Sequence, residues 1–576
     1  MKPLQFKPFS LGRKIPAPLN GYLKGLAVSS TPSYGVISPY DSNTRSTLLS
    51  LAQQSISTPL SQRFQEDPKR AERYSAEIGP LFVDYSKHHI DSNILDTLCT
   101  IARNRGVTTQ LAALRTGAHL NNTENRAVNY PSLRRWAVDQ QSGDSAIDSM
   151  YSNMAALVND IHSGKLRGQT GKAFTDLVNI GIGGSDFGPR LICDALSNQD
   201  EPLLKTHFAA NIDPSVISEV LATVPAETTL FIVASKSFGT QETRSNATAA
   251  RNWLCSELKC DDVDQHFIAI TSRPESAKTF GIREDLILTV PEWIGGRFSV
   301  WSGFGLAIAL STGMENFLAF LGGGHDIDQH VEHSPLESNI PVILGLLDVW
   351  YRNAWGISSQ AVLPYEHHLK LLPIYLQQLF MESAGKSVSS DGEILQHGTG
   401  GVIWGTEGTN GQHSFHQLLH QGSDTIPCDF IASLHSYNPV GEQHQNLIAN
   451  CFSQSLVLMQ GQSAAEIETS LTSNGMPAVD AKKLAQHKAM LGNRPSTTIL
   501  MNQLTPRALG ALIALYEYRL FSASFVWGIN PFDQWGVELG KQISQTLMGA
   551  LSGKESPELD SSTAQLITRY KQAQQT

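Results

Sequence analysis

Four short segments of this 576-residue chain carry side chains that together suit proton transfer on a small phosphorylated molecule. Ser235-Lys236-Ser237-Phe238-Gly239-Thr240 offers three hydroxyls and an ammonium, and Gly295-Gly296-Arg297 offers a guanidinium behind two small residues. Gln378 and Glu382 supply an amide and a carboxylate; Gln534, Glu538 and Lys541 supply an amide, a carboxylate and an ammonium. An anion cradle, a fixed cation, a helix-borne carboxylate and a helix-borne ammonium suit proton transfer on such a molecule without a redox cofactor.

Each segment also has a plainer reading. Hydroxyls and free amides at a helix N-terminus attract an anion, because the macrodipole and the unpaired N–H groups converge there. Ser and Thr also cap helices, which explains one such hydroxyl but not three. The turn Gly181-Ile182-Gly183-Gly184-Ser185 fails as a dinucleotide fingerprint, since Asp186 stands where G-x-G-x-x-G needs its third glycine. Gly385-Lys386-Ser387 likewise fails as a P-loop, with Phe380 at the required upstream glycine. What is left at Gly184 and Ser185 is either a turn that lets a ligand reach backbone amides or a tight strand-to-helix corner. Arg297 fits an oxyanion contact or an ordinary interdomain salt bridge.

Residues 369–383 read as a helix that Pro373 kinks or starts and that Gly385 ends in a left-handed cap. Gln378 and Glu382 then share a face, and an acid at a helix C-terminus is a poor choice for stability alone. That marks Glu382 as a candidate base; a solvated surface glutamate is the bland alternative. Asp533 and Gln534 are expected to open another helix, with Gln534, Glu538 and Lys541 along one face, where Lys541 fits catalysis or simple snorkelling. His413, His416 and His420 are expected on one helical face. Without an H-E-x-x-H pattern or a nearby cysteine pair they predict no metal, and one of them suits general acid–base work.

These groups need a scaffold. From residue 174 onward, apolar runs at 174–184, 205–213, 228–237 and 265–272 alternate with helix-length segments, predicting a doubly wound parallel sheet. A second α/β unit is expected between 340 and 530, and the parts before 143 and after 505 read as mostly helical. The expected divisions are 1–142, 143–315, 316–530 and 531–576. A chain this long exceeds what one core supports. The net charge of −10 argues against nucleic-acid or anionic-membrane partners and obliges an anion site to build local positive potential. Six cysteines without a C-x-x-C pair predict no disulfide framework. The proline-broken N-terminus is not a secretory signal, and Gly303–Gly324, interrupted by Glu315 and Asn316, reads as buried rather than membrane-spanning. The cytoplasm is the default location.

The segments also fit one family together. VNIGIGGSDFGP (178–189), SKSFGTQET (235–243), GGRFSVWS (295–302), YLQQLFMESAGK (375–386), GQHSFHQLLHQG (411–422) and FDQWGVELGKQ (532–542) resemble the motifs of glucose-6-phosphate isomerases. FVDYSKHHI (82–90) and NNTENRAVNYPSLR (121–134) are weaker echoes, so the resemblance runs from about residue 80 to 545. It implies an α/β fold with two sugar-isomerase domains and helical N- and C-terminal extensions. It also implies a homodimer with shared active sites, no metal and no cofactor. The implied reaction interconverts glucose 6-phosphate and fructose 6-phosphate through a cis-enediol, a step of glycolysis and gluconeogenesis. Within it Glu382 would be the base, His413 the ring-opening acid/base acting from the neighbouring subunit, Lys541 its partner at the ring oxygen, and Arg297 the stabiliser of the enediolate. Ser235, Lys236, Ser237 and Thr240 would bind phosphate, and Gly184, Ser185, Gln378 and Gln534 the sugar. Gly239, Ala384, Tyr130 and Ser132 depart from the family pattern without removing a proton-transfer group. A non-catalytic sugar-phosphate regulator on the same fold, or an isomerase that also accepts mannose 6-phosphate, are the alternatives.

Overall fold

The computed structural model describes residues 42–197, 202–554 and 557–575. The proline-broken start of the chain, expected not to be a secretory signal, lies outside the described residues. The first strands form a hairpin, β1 (Ser75–Ile78) and β2 (Leu81–Lys87), around a two-residue turn in which Gly79 takes φ +53°. The described residues before 143 are otherwise mostly helical, and the hairpin is an addition to that reading. The signal was present: β2 reads LFVDYSK, and its alternation buries Leu81, Val83 and Tyr85 on one face.

Next come β3 (Asp176–Ile180), β4 (Lys205–Ala209), β5 (Thr229–Ala234), β6 (Phe267–Thr271) and β7 (Ile287–Thr289). They make an all-parallel sheet ordered β4-β3-β5-β6-β7. Every residue of β3, β5 and β6 is buried, as expected of Val-, Ile- and Phe-rich strands covered on both faces. The chain leaves β3 for β4 on one side and returns to β5 on the other. The carboxyl ends of β3 and β5 therefore flank a topological switch point, where open α/β sheets open a crevice for ligands.

The second sheet contains β8 (Ser359–Tyr365), β9 (Val402–Trp404), β10 (Cys428–Ser433) and β11 (Ser496–Met501). Its parallel part, β9-β8-β10-β11, repeats the winding of β4-β3-β5-β6, although no short-period repeat is visible in the sequence. It is not purely parallel: β2 pairs antiparallel with β11 and carries β1 at the edge, giving six strands.

The helix Pro506–Trp527 packs on Met314–His333 and Ile340–Asn353. It is long and apolar enough to cross a membrane, yet every one of its residues but Arg507 is buried inside the fold. Gly303–Gly324 is buried at both ends but reaches the surface at Glu315, and it is divided between the helices Leu306–Thr312 and Met314–His333. Beneath these helices Arg134 joins Asp328 at 2.6 Å and Glu517 at 2.7 Å, with all three side chains at most 3% exposed. Trp301 Nε1 donates to Glu517 at 2.8 Å, and Tyr518 donates to Asp328 at 2.7 Å. Burial pushes the Glu517 carboxyl up to about 7, while the Arg134 guanidinium pulls it the other way.

Candidate active site

The loop after β5 runs from buried Ser235 to Thr240, whose hydroxyls lie 3.2 Å apart, and leads into the helix Gln241–Leu258. Thr240 makes no side-chain cap bond, so capping does not account for its hydroxyl. Phe238 takes φ +52° and is anchored in the core, edge-on to Phe280 at 5.8 Å. It is Phe238, not Gly239, that occupies the left-handed region. Lys236 donates to the Ile294 carbonyl at 3.1 Å, and burial pulls its pKa down to about 8.

Ile294 precedes Gly295-Gly296-Arg297, which enters a 3₁₀ turn over Gly296–Trp301. The Tyr130 hydroxyl accepts the Gly295 N–H at 3.1 Å, and its ring lies 4.8 Å from Phe298 and 5.6 Å from Trp293. This turn meets the glycine corner after β3. A side chain at Gly184 would overlap the Gly296 carbonyl, so glycine is required for the two backbones to touch. A Cβ at Gly183 would lie 3.1 Å from Gln378 Nε2, which places that amide directly over the corner. Ser185 is half-buried at the start of the helix Gly184–Leu196.

The segment expected as one helix over 369–383 is divided. Pro373 sits in the first turn of Leu372–Leu376, and Gln377–Glu382 follows as a π-helical turn, a device frequent at functional sites. Gly385 is not a left-handed cap: its N–H continues the helical pattern to Met381 at 3.0 Å, and a Cβ there would crowd that carbonyl. The shared face survives, with Gln378 Nε2 donating to Glu382 Oε2 at 3.0 Å.

Arg297 is the hub. It is 2% exposed, donates from Nε to Ser383 Oγ at 2.5 Å and from Nη2 to the carbonyls of Pro531 and Asp533. Nη1 donates to Gln534 Oε1 at 3.0 Å and stands 3.5 Å from Glu382 Oε2. Burial lowers its pKa from the usual guanidinium range, and the Glu382 carboxylate opposes that fall. Gln534 reaches Arg297 because it precedes the helix, which starts at Glu538 after a 3₁₀ turn over Trp535–Val537. Gln534, Glu538 and Lys541 therefore do not share one helical face.

Two candidates lie apart. Lys541 is 67% exposed and pairs with Glu538 at 3.0 Å; His413 is exposed at the end of the short helix Gly408–Gln412. Neither lines the cleft beside Glu382. The chain breaks between that helix and His416–Gln421, so the three histidines do not share a face. His416 and His420 instead turn to the Gln454 side-chain oxygen at 3.1 and 2.8 Å.

The cleft has further polar walls that spacing did not reveal: Lys386, Asp533, Asn530 and Thr123. Lys386 Nζ binds the Asp533 carboxylate and, at 2.7 Å, its carbonyl. Thr123 and Asn530 donate to Asp533 Oδ2 at 2.6 and 3.0 Å. Burial lowers the Lys386 pKa, against the Asp533 hydrogen bond. The lysine and the aspartate stand inside conspicuous motifs, but their pairing spans 147 residues and leaves no local pattern.

The phosphoglucose isomerase family profile matches residues 84–567. A glucose-6-phosphate isomerase of Shewanella denitrificans is 46% identical over 516 residues, covering 88% of this chain and 95% of that protein. One from Pseudomonas aeruginosa is 46% identical over 517 residues, covering 88% and 93%. The crystal structure of a glucose-6-phosphate isomerase from Chlamydia trachomatis superposes with a TM-score of 0.78 at 32% identity, covering 91% of this chain and 98% of its own. A Thermus thermophilus protein of hypothetical function shares the fold at a TM-score of 0.57 and 22% identity. The chain belongs to the phosphoglucose isomerase family.

Proposed function

We propose that this protein interconverts D-glucose 6-phosphate and D-fructose 6-phosphate, with Glu382 moving a proton between C1 and C2 through a cis-enediol. The observation that carries this reading is a half-buried carboxylate held by Gln378 beside a buried guanidinium, next to an anion cradle at a sheet switch point. Arg297 Nη1 faces the space where enediolate charge develops, and its fixed position means it need not reorganise when that charge appears. Ser235, Lys236, Ser237 and Thr240 hold the phosphate, while Gly184, Ser185, Gln378 and Gln534 contact the sugar. Lys541 acts at the ring oxygen; its present partnership with Glu538 is a surface pair and costs little to break. The reaction belongs to glycolysis and gluconeogenesis, and six free cysteines suit a reducing cytoplasm.

His413 opens the ring from a second copy of the chain. The support is twofold: His413 is exposed away from its own Glu382, and the C-terminal part shows an uncovered apolar face. The helix Glu538–Leu551 exposes Leu539, Ile543 and Met548 and buries only Ala550.

A coupled assay on purified protein tests the reaction. Turnover of glucose 6-phosphate undiminished by EDTA is expected, with mannose 6-phosphate as a parallel substrate arm. Folded protein without turnover on glucose 6-phosphate would refute the reading.

The phosphate loop gives a second expectation. A Cβ on Gly239 meets nothing closer than Ser237 Oγ at 3.6 Å, and no positive φ penalises a side chain there. Gly239→Thr should therefore leave thermal stability unchanged, lower KM or leave it unaltered, and shift kcat little. A large kcat loss in the folded variant would contradict a role confined to binding.

A further inference from the structure

Arg297 has five N–H groups, and the structure spends most of them on the protein. Nε goes to Ser383, Nη2 goes to two main-chain carbonyls, and Nη1 alone is left facing Gln534 and Glu382. The direction in which Nη1 points is therefore set by where the Pro531 and Asp533 carbonyls stand. No helix or strand holds those carbonyls, since residues 530–534 are irregular. Buried Phe532 anchors the segment between Phe298 and Phe521, and side chains hold Asp533 itself: Lys386 grips both its carbonyl and its carboxylate, and Thr123 and Asn530 occupy the second carboxylate oxygen. The Asp533 carbonyl is thus shared by Lys386 and Arg297.

We propose that Lys386, acting through Asp533, is a positioning residue for the isomerisation: it fixes the carbonyl seat that aims Arg297 Nη1 at the enediolate oxygens. Stability alone is a weak reason for such a pair. Lys386 is 16% and Asp533 7% exposed, and an ion pair that deep is commonly matched by apolar residues of the same volume. With the seat loosened, the guanidinium is free to turn from 3.5 Å into direct contact with Glu382, tying up the base and losing the oxyanion contact. The same clamp sets the start of the segment that leads to Lys541. The proposal rests on the isomerase reading.

The test compares wild type with Lys386→Met, Asp533→Asn and Lys386→Arg, measuring melting temperature, kcat, KM and inhibition by two probes. One probe is a five-carbon aldonate phosphate, which mimics the enediolate; the other is inorganic phosphate, which needs only the Ser235–Thr240 cradle. Lys386→Met should lower kcat by about 10–100-fold, the scale of a displacement near 1 Å, with KM changed less than about threefold. Aldonate inhibition should weaken by a similar factor and phosphate inhibition should not move, because only the former reads Arg297. Lys386→Arg should recover part of the loss. A lower melting temperature with kcat intact, or equal weakening of both inhibitors, would overturn the positioning role. If Lys386→Met does not fold, the nearly isosteric Asp533→Asn carries the same expectations. Wild type that turns over and a Lys386→Met that matches it refute the positioning role alone; wild type without turnover refutes the isomerase reading and this proposal with it.

Discussion

Glu382→Gln is expected to lower kcat by about 10²–10⁴-fold, the usual worth of a positioned general base, with the fold intact. Glutamine fills the same volume, and its side-chain oxygen can still accept from Gln378 and face Arg297, so no buried donor loses its partner. What disappears is the lone pair basic enough to take a proton from carbon. KM should change little, because the loop proposed to hold the phosphate is untouched. Near wild-type turnover in the purified variant would remove Glu382 from the role. The same variant tests whether His413 is shared. Mixed with His413→Ala subunits, it should regain activity if the histidine comes from the neighbouring copy, since one site then carries both defects and the other neither. Confirmed heterodimers without recovery would refute sharing.

The largest expected stability effect lies away from the cleft, at Arg134. Arg134→Met should destabilise the protein by about 3–5 kcal/mol, because it removes the guanidinium that joins the buried carboxylates Asp328 and Glu517 and leaves Asp328 only His325, at 3.9 Å, as a basic neighbour in ion-pair range. It also removes the guanidinium stacked 4.8 Å over the Trp301 ring. The loss should depend on pH with a definite sign. Unpartnered buried carboxyls hold protons more tightly folded than unfolded, so the variant's stability rises as pH falls. The gap from wild type, followed by chemical denaturation, should be wider at pH 8 than at pH 5.5. A gap that is small or widens on acidification would show that Asp328 and Glu517 find other partners. Because Trp301 closes the 3₁₀ turn that starts beside Arg297, a fall in turnover is expected to accompany the loss.

The strands β3, β5 and β6 were legible because each is a mainly apolar run buried on both faces, and the edge strand β4, polar and partly exposed, was legible from its place in the strand–helix alternation. The second sheet was not, because its strands carry polar residues whose partners lie far off in sequence. Asp429 in β10 is buried with Arg519 at 2.7 Å and with Tyr516 and Gln360 each at 3.0 Å, and β11 opens with Ser496 and Thr497. At the site, Arg297, Gln378, Glu382 and Gln534 stood out singly by type and spacing, whereas Ser383 and the Pro531 and Asp533 carbonyls, which hold the guanidinium, did not. The π-helical turn did not, since the extra residue per turn is imposed by packing rather than by composition. Gln534 was misplaced onto a helix face because the i, i+4 spacing to Glu538 is real, but the helix begins four residues later than the pattern suggests.

The hairpin at residues 75–87 has a consequence for how the chain is made. One edge of β2 is paired at once by β1, but the other finds its partner only in β11, roughly four hundred residues later. At synthesis rates of about 5–20 residues per second, β2 waits roughly 20–80 s with an open edge and a buried-type face of Leu81, Val83 and Tyr85 in water. The first sheet has all its strands by residue 289 and can close during that interval. The ribosome therefore delivers the two sheets on different schedules: one folds as it emerges, while the other must keep its earliest strand from pairing elsewhere until its last arrives. Nascent chains stalled between residues 300 and 490 should be the ones that chaperones hold.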